Sequence, residues 1–129
     1  MTGSGNETSA HVQELPRMTI MFSAFEGKPM IMRLYGVAQV MHHNDQEWDD
    51  YYAKFPSNIG ARQIFILSID MVQTSCGMAV PFFDYVKERE QLNTSMARKG
   101  SEGVKQYWRD KNQISLDGIS THIVKKNLS

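Results

Sequence analysis

Three stretches of this chain carry side chains that could hold a small polar or anionic ligand. The first is Gly3-Ser4-Gly5-Asn6-Glu7-Thr8, a flexible polar run ahead of a short helix expected from Ser9 to Leu15 and stopped by Pro16. Asn6 or Thr8 can serve as N-cap, its side-chain oxygen accepting from an unpaired backbone N–H. Loop amides, hydroxyls and a helix N-terminus together make a ready anion site. No Gly-Lys-Ser/Thr follows, so this is not a Walker A loop, nor is it a GxGxxG fingerprint. An ordinary capped helix behind a loose terminus explains the same residues, and both readings stand.

The second stretch is Gln73-Thr74-Ser75-Cys76-Gly77, at the end of the apolar run Gln63–Val72. That run is rich in β-branched and aromatic residues and predicts a strand buried on both faces. A rigid strand fixes the direction of the polar groups at its end, which suits ligand binding through Gln73 and Ser75. Simple capping of the strand end is the bland alternative. Cys76 has no base or cation close in sequence to lower its pKa, so a small, half-buried thiol is favoured over a nucleophile.

The third candidate is Arg33, the only charge within its strand, suited to bidentate pairing with an anion or to a solvated edge. His42-His43 lacks matching ligands elsewhere and sits in a strand-to-helix turn, so a metal site is disfavoured.

The elements that position these groups follow from periodicity. Strands are expected at about 17–25, 30–41 and 62–74, the first two joined by the turn Glu26-Gly27-Lys28-Pro29. Both faces of that hairpin carry large apolar side chains, so a helix or a second subunit must cover one of them. Gly36 marks a bend or bulge. The methionines around the hairpin read as flexible core packing. Asn44 and Glu47 make a capping box for a helix over 45–55, on which Trp48, Tyr51, Tyr52 and Phe55 form a packing face.

A C-terminal helical region is expected over about 81–112. Pro81 opens one helix to about Leu92. Thr94 caps a short piece that Gly100 interrupts, and Ser101 restarts a helix to Lys111 with Val104, Tyr107 and Trp108 on one stripe. His122 to Ser129 is expected to fray. The fold class is mainly β with peripheral helices, α+β, in a single domain over residues 1–129.

Lys plus Arg and Asp plus Glu both number 14, so no net field draws the chain to nucleic acid or to a membrane surface. One cysteine excludes an intrachain disulfide and fits a reducing, cytoplasmic setting. No apolar leader and no membrane-length apolar run is present.

The run ARQIFILSIDMVQTSCGMAVP, with Met32-Arg33-Leu34-Tyr35-Gly36 upstream and Lys111-Asn112-Gln113-Ile114-Ser115-Leu116-Asp117-Gly118 downstream, resembles the pyridoxamine 5'-phosphate oxidase-like family. The resemblance spans Gly3 to about Ser120. It implies an FMN-binding split β-barrel, a homodimer and an FMN-dependent oxidoreductase of unknown substrate, with another flavin or a deazaflavin as a variant cofactor. By the same resemblance Ser4, Asn6 and Thr8 receive the flavin phosphate, and Arg33, Gln73 and Ser75 lie near the ribityl chain or ring. No catalytic residue is assigned, and none is required if the flavin accepts a hydride directly.

Departures from the family pattern qualify what carries over. A split barrel has about six strands, and only three are expected here, so the chain resembles an N-terminally shortened member. Met30-Ile31 stand where the vitamin-forming oxidases carry an Arg-Gln pair, and the Arg-x-His substrate motif is absent. A non-catalytic flavin-binding or interaction protein is therefore the alternative.

Overall fold

The computed structural model describes every residue, Met1–Ser129. Three strands form one antiparallel sheet in the order β1-β2-β3: β1 Arg17–Ser23, β2 Ile31–Met41 and β3 Ile64–Ser75. Four helices complete an α+β arrangement: α1 Glu7–Glu14, α2 Trp48–Tyr52, α3 Gln91–Lys111 and α4 Ile123–Leu128. None of them is long and apolar enough to cross a membrane.

Side chains of paired residues share a sheet face, so the register sorts the sheet into two chemistries. Ile20, Leu34 and Val72 line up across the strands, as do Phe22, Met32 and Thr74. That face is almost wholly apolar. On the other face Met21, Arg33 and Gln73 align, then Thr19, Tyr35 and Met71. Here the polar side chains gather.

Gly36 keeps the register regular on either side of a bulge. Tyr35 pairs with Met71 but Gly36 pairs with Ile69, leaving Asp70 as the extra residue. A Cβ on Gly36 would stand 2.0 Å from the Ser68 carbonyl oxygen, so only glycine allows this approach.

β3 departs from the expectation of a strand buried on both faces. Its first residues, Ile64–Leu67, are half-buried, but Ser68–Ser75 are exposed. Ile69, Val72 and Phe22 each remain about half exposed. No element of the chain packs over the far end of the sheet. The apolar composition is real, but these side chains remain partly open to solvent.

Burial concentrates at the other end. Met96, Val104, Trp108 and Ile123 form the core cluster, with Val124 and Leu128 packed against it. Trp108 Nε1 donates to Thr2 Oγ1 at 2.8 Å, and Thr2 Oγ1 donates to the Gly60 carbonyl at 2.8 Å, pinning the N-terminus over α3. Tyr52 stacks on Trp48, and the His43 ring lies 4.2 Å from Trp48.

Several helix expectations are corrected. Residues 81–90 are not helical, and α3 begins only at Gln91. Phe82, Phe83, Tyr85 and Val86 stay exposed, so no packing stabilises a helix there. The Phe83 N–H instead donates to the Phe25 carbonyl, with the two rings edge to face. α2 is shorter than the expected 45–55 helix, and the Asn44–Glu47 box does not form. The Asn44 amide donates to the Ser129 carbonyl, and the Asp45 carboxylate accepts the His42 N–H. Residues 123–128 form α4 rather than fraying, because Ile123 is buried against Val104 and Trp108. Gly100 breaks α3 as expected, with φ of 65°.

Candidate functional site

The polar sheet face collects four side chains from two strands. Arg33 Nη1 donates to Ser75 Oγ at 3.3 Å, and the Tyr35 hydroxyl donates to Gln73 Oε1 at 3.1 Å. Arg33 and Gln73 are direct cross-strand partners, so alternation along β2 and β3 places all four on one surface. Arg33 has no carboxylate partner. A guanidinium flanked by an amide and two hydroxyls, free of internal neutralisation, can receive an anionic or carbonyl-rich ligand. Cys76 follows in the chain and is exposed, with no other thiol to pair with.

The N-terminal turn is built differently. Asn6 is buried, and its side chain works inward. Nδ2 donates to the Lys111 and Ile114 carbonyls, and Oδ1 accepts from Asn112 Nδ2 at 2.8 Å. Asn6 holds the N-cap position of α1 without a side-chain cap bond, and Thr8 lies inside the helix, so neither caps as expected. The reason is competition: the buried Asn112 is a closer partner for Asn6 than the helix amides. Ser4 and Thr8 are exposed at the turn, their hydroxyls without intramolecular partners.

Arg62 supports the turn from below. It is 7% exposed; Nη1 donates to the Gly3 carbonyl at 2.9 Å, and Nη2 donates to the Gly5 carbonyl. Burial lowers its pKa from the ordinary guanidinium value, although arginine keeps its proton. Its Nε lacks a partner, as do the buried Ser9 Oγ and Asn112 Oδ1.

The two groups do not meet within one chain. Thr2 and Arg62 bind the turn to the start of β3, whereas Gln73 and Ser75 lie at its end. From Ile64 to Gln73 the strand covers about 30 Å at ~3.3 Å per residue. Ser4, Asn6 and Thr8 therefore form one cluster, and Arg33, Gln73 and Ser75 another.

A cavity of about 620 Å³ lies beside the turn end, lined mainly by Met1, Tyr52, Phe55, Ile64 and Phe65. The histidine pair is divided. His43 Nε2 bonds the Ala61 carbonyl at 2.9 Å, while His42 is fully buried with both ring nitrogens unpartnered. Burial lowers the His42 pKa to about 4, Lys126 acting in the same sense and Asp45 against it. No group of three or more metal-binding side chains assembles.

The residues that sequence reasoning missed are Tyr35, Arg62 and Asn112. Tyr35 was legible by alternation from Arg33. Arg62, a lone charge at the mouth of an apolar strand, carried a weaker signal, and Asn112 carried none.

A pyridoxamine 5'-phosphate oxidase family protein of Aspergillus flavus, ustO, is 42% identical to this chain over 91 residues. The match covers 69% of this chain and 36% of that protein, so the chain spans about a third of its relative's length. No family model and no solved structure matches the chain.

Proposed function

We propose that this chain, which belongs to the pyridoxamine 5'-phosphate oxidase-like family, is an FMN-dependent oxidoreductase of unknown substrate. The observation that carries the reading is the cluster of Arg33, Tyr35, Gln73 and Ser75 on one sheet face, with the guanidinium free of any carboxylate. Bound FMN, or a related flavin or deazaflavin, would supply the hydride acceptor. Ser75 and Gln73 would orient the ribityl chain or ring through hydrogen bonds, and Arg33 would offer a positive charge beside it. Ser4 and Thr8 would hold the phosphate through their hydroxyls, while Asn6 would shape the turn that presents them.

The turn is tied to the start of β3 and the sheet cluster sits at its end. That separation is in keeping with a homodimer in which the turn of one copy faces the sheet cluster of the other. It also supports reading the three-stranded sheet as part of a split barrel, whose further wall would cover Ile20, Leu34 and Val72. A reducing cytoplasmic setting is compatible with the exposed, unpaired Cys76. Formation of the vitamin itself is not proposed, given Met30-Ile31 at the positions named above.

The test is gel filtration of the chain after incubation with FMN, with absorbance recorded across the peak. A flavin band travelling with a dimer supports the reading. Free flavin with an apo monomer or aggregate overturns it for this chain.

The exposed apolar side chains of Ile69, Val72 and Phe22 favour a second reading, a non-catalytic flavin-binding or interaction protein. It differs in one observable: retained flavin would not bleach with any reduced substrate.

A further inference from the structure

Arg17 opens β1 on the same sheet face as the Arg33 cluster. Its register partner is Val37, which alternation along β2 sets on the side of Tyr35 and Arg33. Thr19 follows on that side opposite Tyr35, then Met21 opposite Arg33. The backbone beneath Arg17 is held on both sides. The Arg17 N–H donates to the Leu15 carbonyl at 2.7 Å, and the Pro16 carbonyl accepts the Ala38 N–H at 2.8 Å. The side chain, in contrast, is exposed and has no ion pair. Arg17 and Arg33 are the only cations in the three strands, and Asp70, their only acid, pairs with neither. Two guanidiniums without a partner charge make this face locally positive, although the chain as a whole is neutral.

A recess of about 190 Å³ lies at this corner, lined by Leu15, Arg17, Met18, Thr19, Tyr35 and Gly36. It brings a guanidinium and two hydroxyls together with apolar walls. From there the face runs on toward Arg33. Val37 and Arg33 are four residues apart on β2, about 13 Å at ~3.3 Å per residue. Between them Tyr35 is flanked by Thr19 and Met71, and Met21 lies in the next row. Met21 and Met71 are each about half exposed, and unbranched thioether side chains adapt to an aliphatic body of variable shape. The surface is cationic at both ends and largely apolar between.

We infer that Arg17, with Thr19, binds the carboxylate of a small aliphatic acid whose body lies along Met21, Tyr35 and Met71 toward Arg33. As a substrate class for the oxidoreductase this rests on the reading above, since the far end of the acid reaches the cluster proposed to lie beside the flavin. A carboxylate matches one guanidinium in charge and in planar, bidentate geometry. A dianionic phosphate calls for more positive charge than Arg17 alone supplies. The recess is also well below the roughly 300–1,000 Å³ of a pocket that encloses a larger ligand, so it takes the head group and the first carbons only. Arg17 is a positioning residue: it holds the acid by the end remote from the reacting carbon, and so selects charged over uncharged substrates.

The probe is hexanoate, with hexanamide as its uncharged counterpart. Each is titrated into the full chain while backbone amide and methionine methyl resonances are recorded, first without FMN and then with it. Hexanoate should shift the Arg17 and Thr19 amides and the Met21 and Met71 methyls together. Hexanamide should bind at least about tenfold more weakly, the scale of one charge-assisted hydrogen bond, and this comparison needs no variant to fold. Arg17→Gln should weaken hexanoate by a similar factor. Arg17→Lys should recover only part of the loss, because an ammonium cannot engage both carboxylate oxygens in one plane. Equal affinities for hexanoate and hexanamide, or hexanoate bound as tightly by Arg17→Gln as by the parent, overturn the inference. So does inorganic phosphate that moves the same resonances as strongly as hexanoate, which marks a general anion patch. Hexanoate held at Arg17 by a chain that retains no FMN would refute the flavin reading and leave the acid site standing. FMN retained without any response to hexanoate would do the reverse.

Discussion

Arg33 on β2 and Ser75 on β3 meet side chain to side chain, Nη1 to Oγ at 3.3 Å, two residues along each strand from the Tyr35–Gln73 pair. The contact lies on the solvent side of the sheet, so it contributes little to folding and leaves the guanidinium available. Such a placement separates binding from stability, which makes the site testable.

Arg33→Ala should leave the unfolding free energy within about 0.5 kcal/mol of the parent, as for a half-buried surface side chain without an ion pair. Flavin affinity, followed by fluorescence quenching, should fall at least about tenfold, the scale of one charge-assisted hydrogen bond. Unchanged affinity would remove Arg33 from the site.

His42 should make the fold acid-sensitive. The unfolded chain takes up a proton on this ring near its ordinary value of 6.5, whereas the folded chain keeps it neutral down to about 4. The unfolded state therefore binds more protons within that window. The stability contributed by neutral His42 is complete above the unfolded pKa and is lost as pH falls toward the folded one. The loss is on the order of 3 kcal/mol at most, at about 1.4 kcal/mol per unit. Lys126, His43 and His122 oppose the charged ring and Asp45 favours it. His43, whose pKa burial also lowers, adds to the slope with the same sign. Urea midpoints measured from neutral pH down to the acid end should fall, and His42→Leu should flatten the curve. An equally steep curve in the variant would shift the cause elsewhere.

Gly36→Ala should be among the costliest single-methyl changes in the chain. Its Cβ would meet the Ser68 carbonyl oxygen at 2.0 Å, and backbone cannot yield as a flexible side chain can. A loss of roughly 3 kcal/mol or more is expected, since the bulge must be rebuilt. Gly3→Ala, where nothing lies within 4 Å, is the control and should be nearly neutral by denaturant titration. Similar losses at both positions would show that the bulge is not under steric control.

Much of the architecture was legible because strand signals are local. Period-two alternation and the apolar run located β1, β2 and β3, and the isolated Gly36 announced the bulge. The helices were less legible wherever their stability depends on distant partners. Pro81 and the following aromatics look like a helix start, yet nothing packs on them. The C-terminal residues look ready to fray, yet Ile123 finds the α3 core. Capping residues were recognised by type, but Asn6 spends its amide on a carbonyl 105 residues away and Asn44 on one 85 residues away.

In the sequence by itself, alternation along β3 already put Gln73 and Ser75 on one face, because alternation is a property of the strand backbone. Arg33 joined them in the sequence only through the family resemblance, and it was the register of β2 on β3 that set it on the same face. Tertiary structure alone decided that Asn6 turns inward, that Arg62 lies beneath the turn without an ion pair, and that turn and sheet cluster stand at opposite ends of β3. Those outcomes depend on contacts between segments far apart in the chain, where burial and competition among hydrogen-bond partners outweigh any local preference.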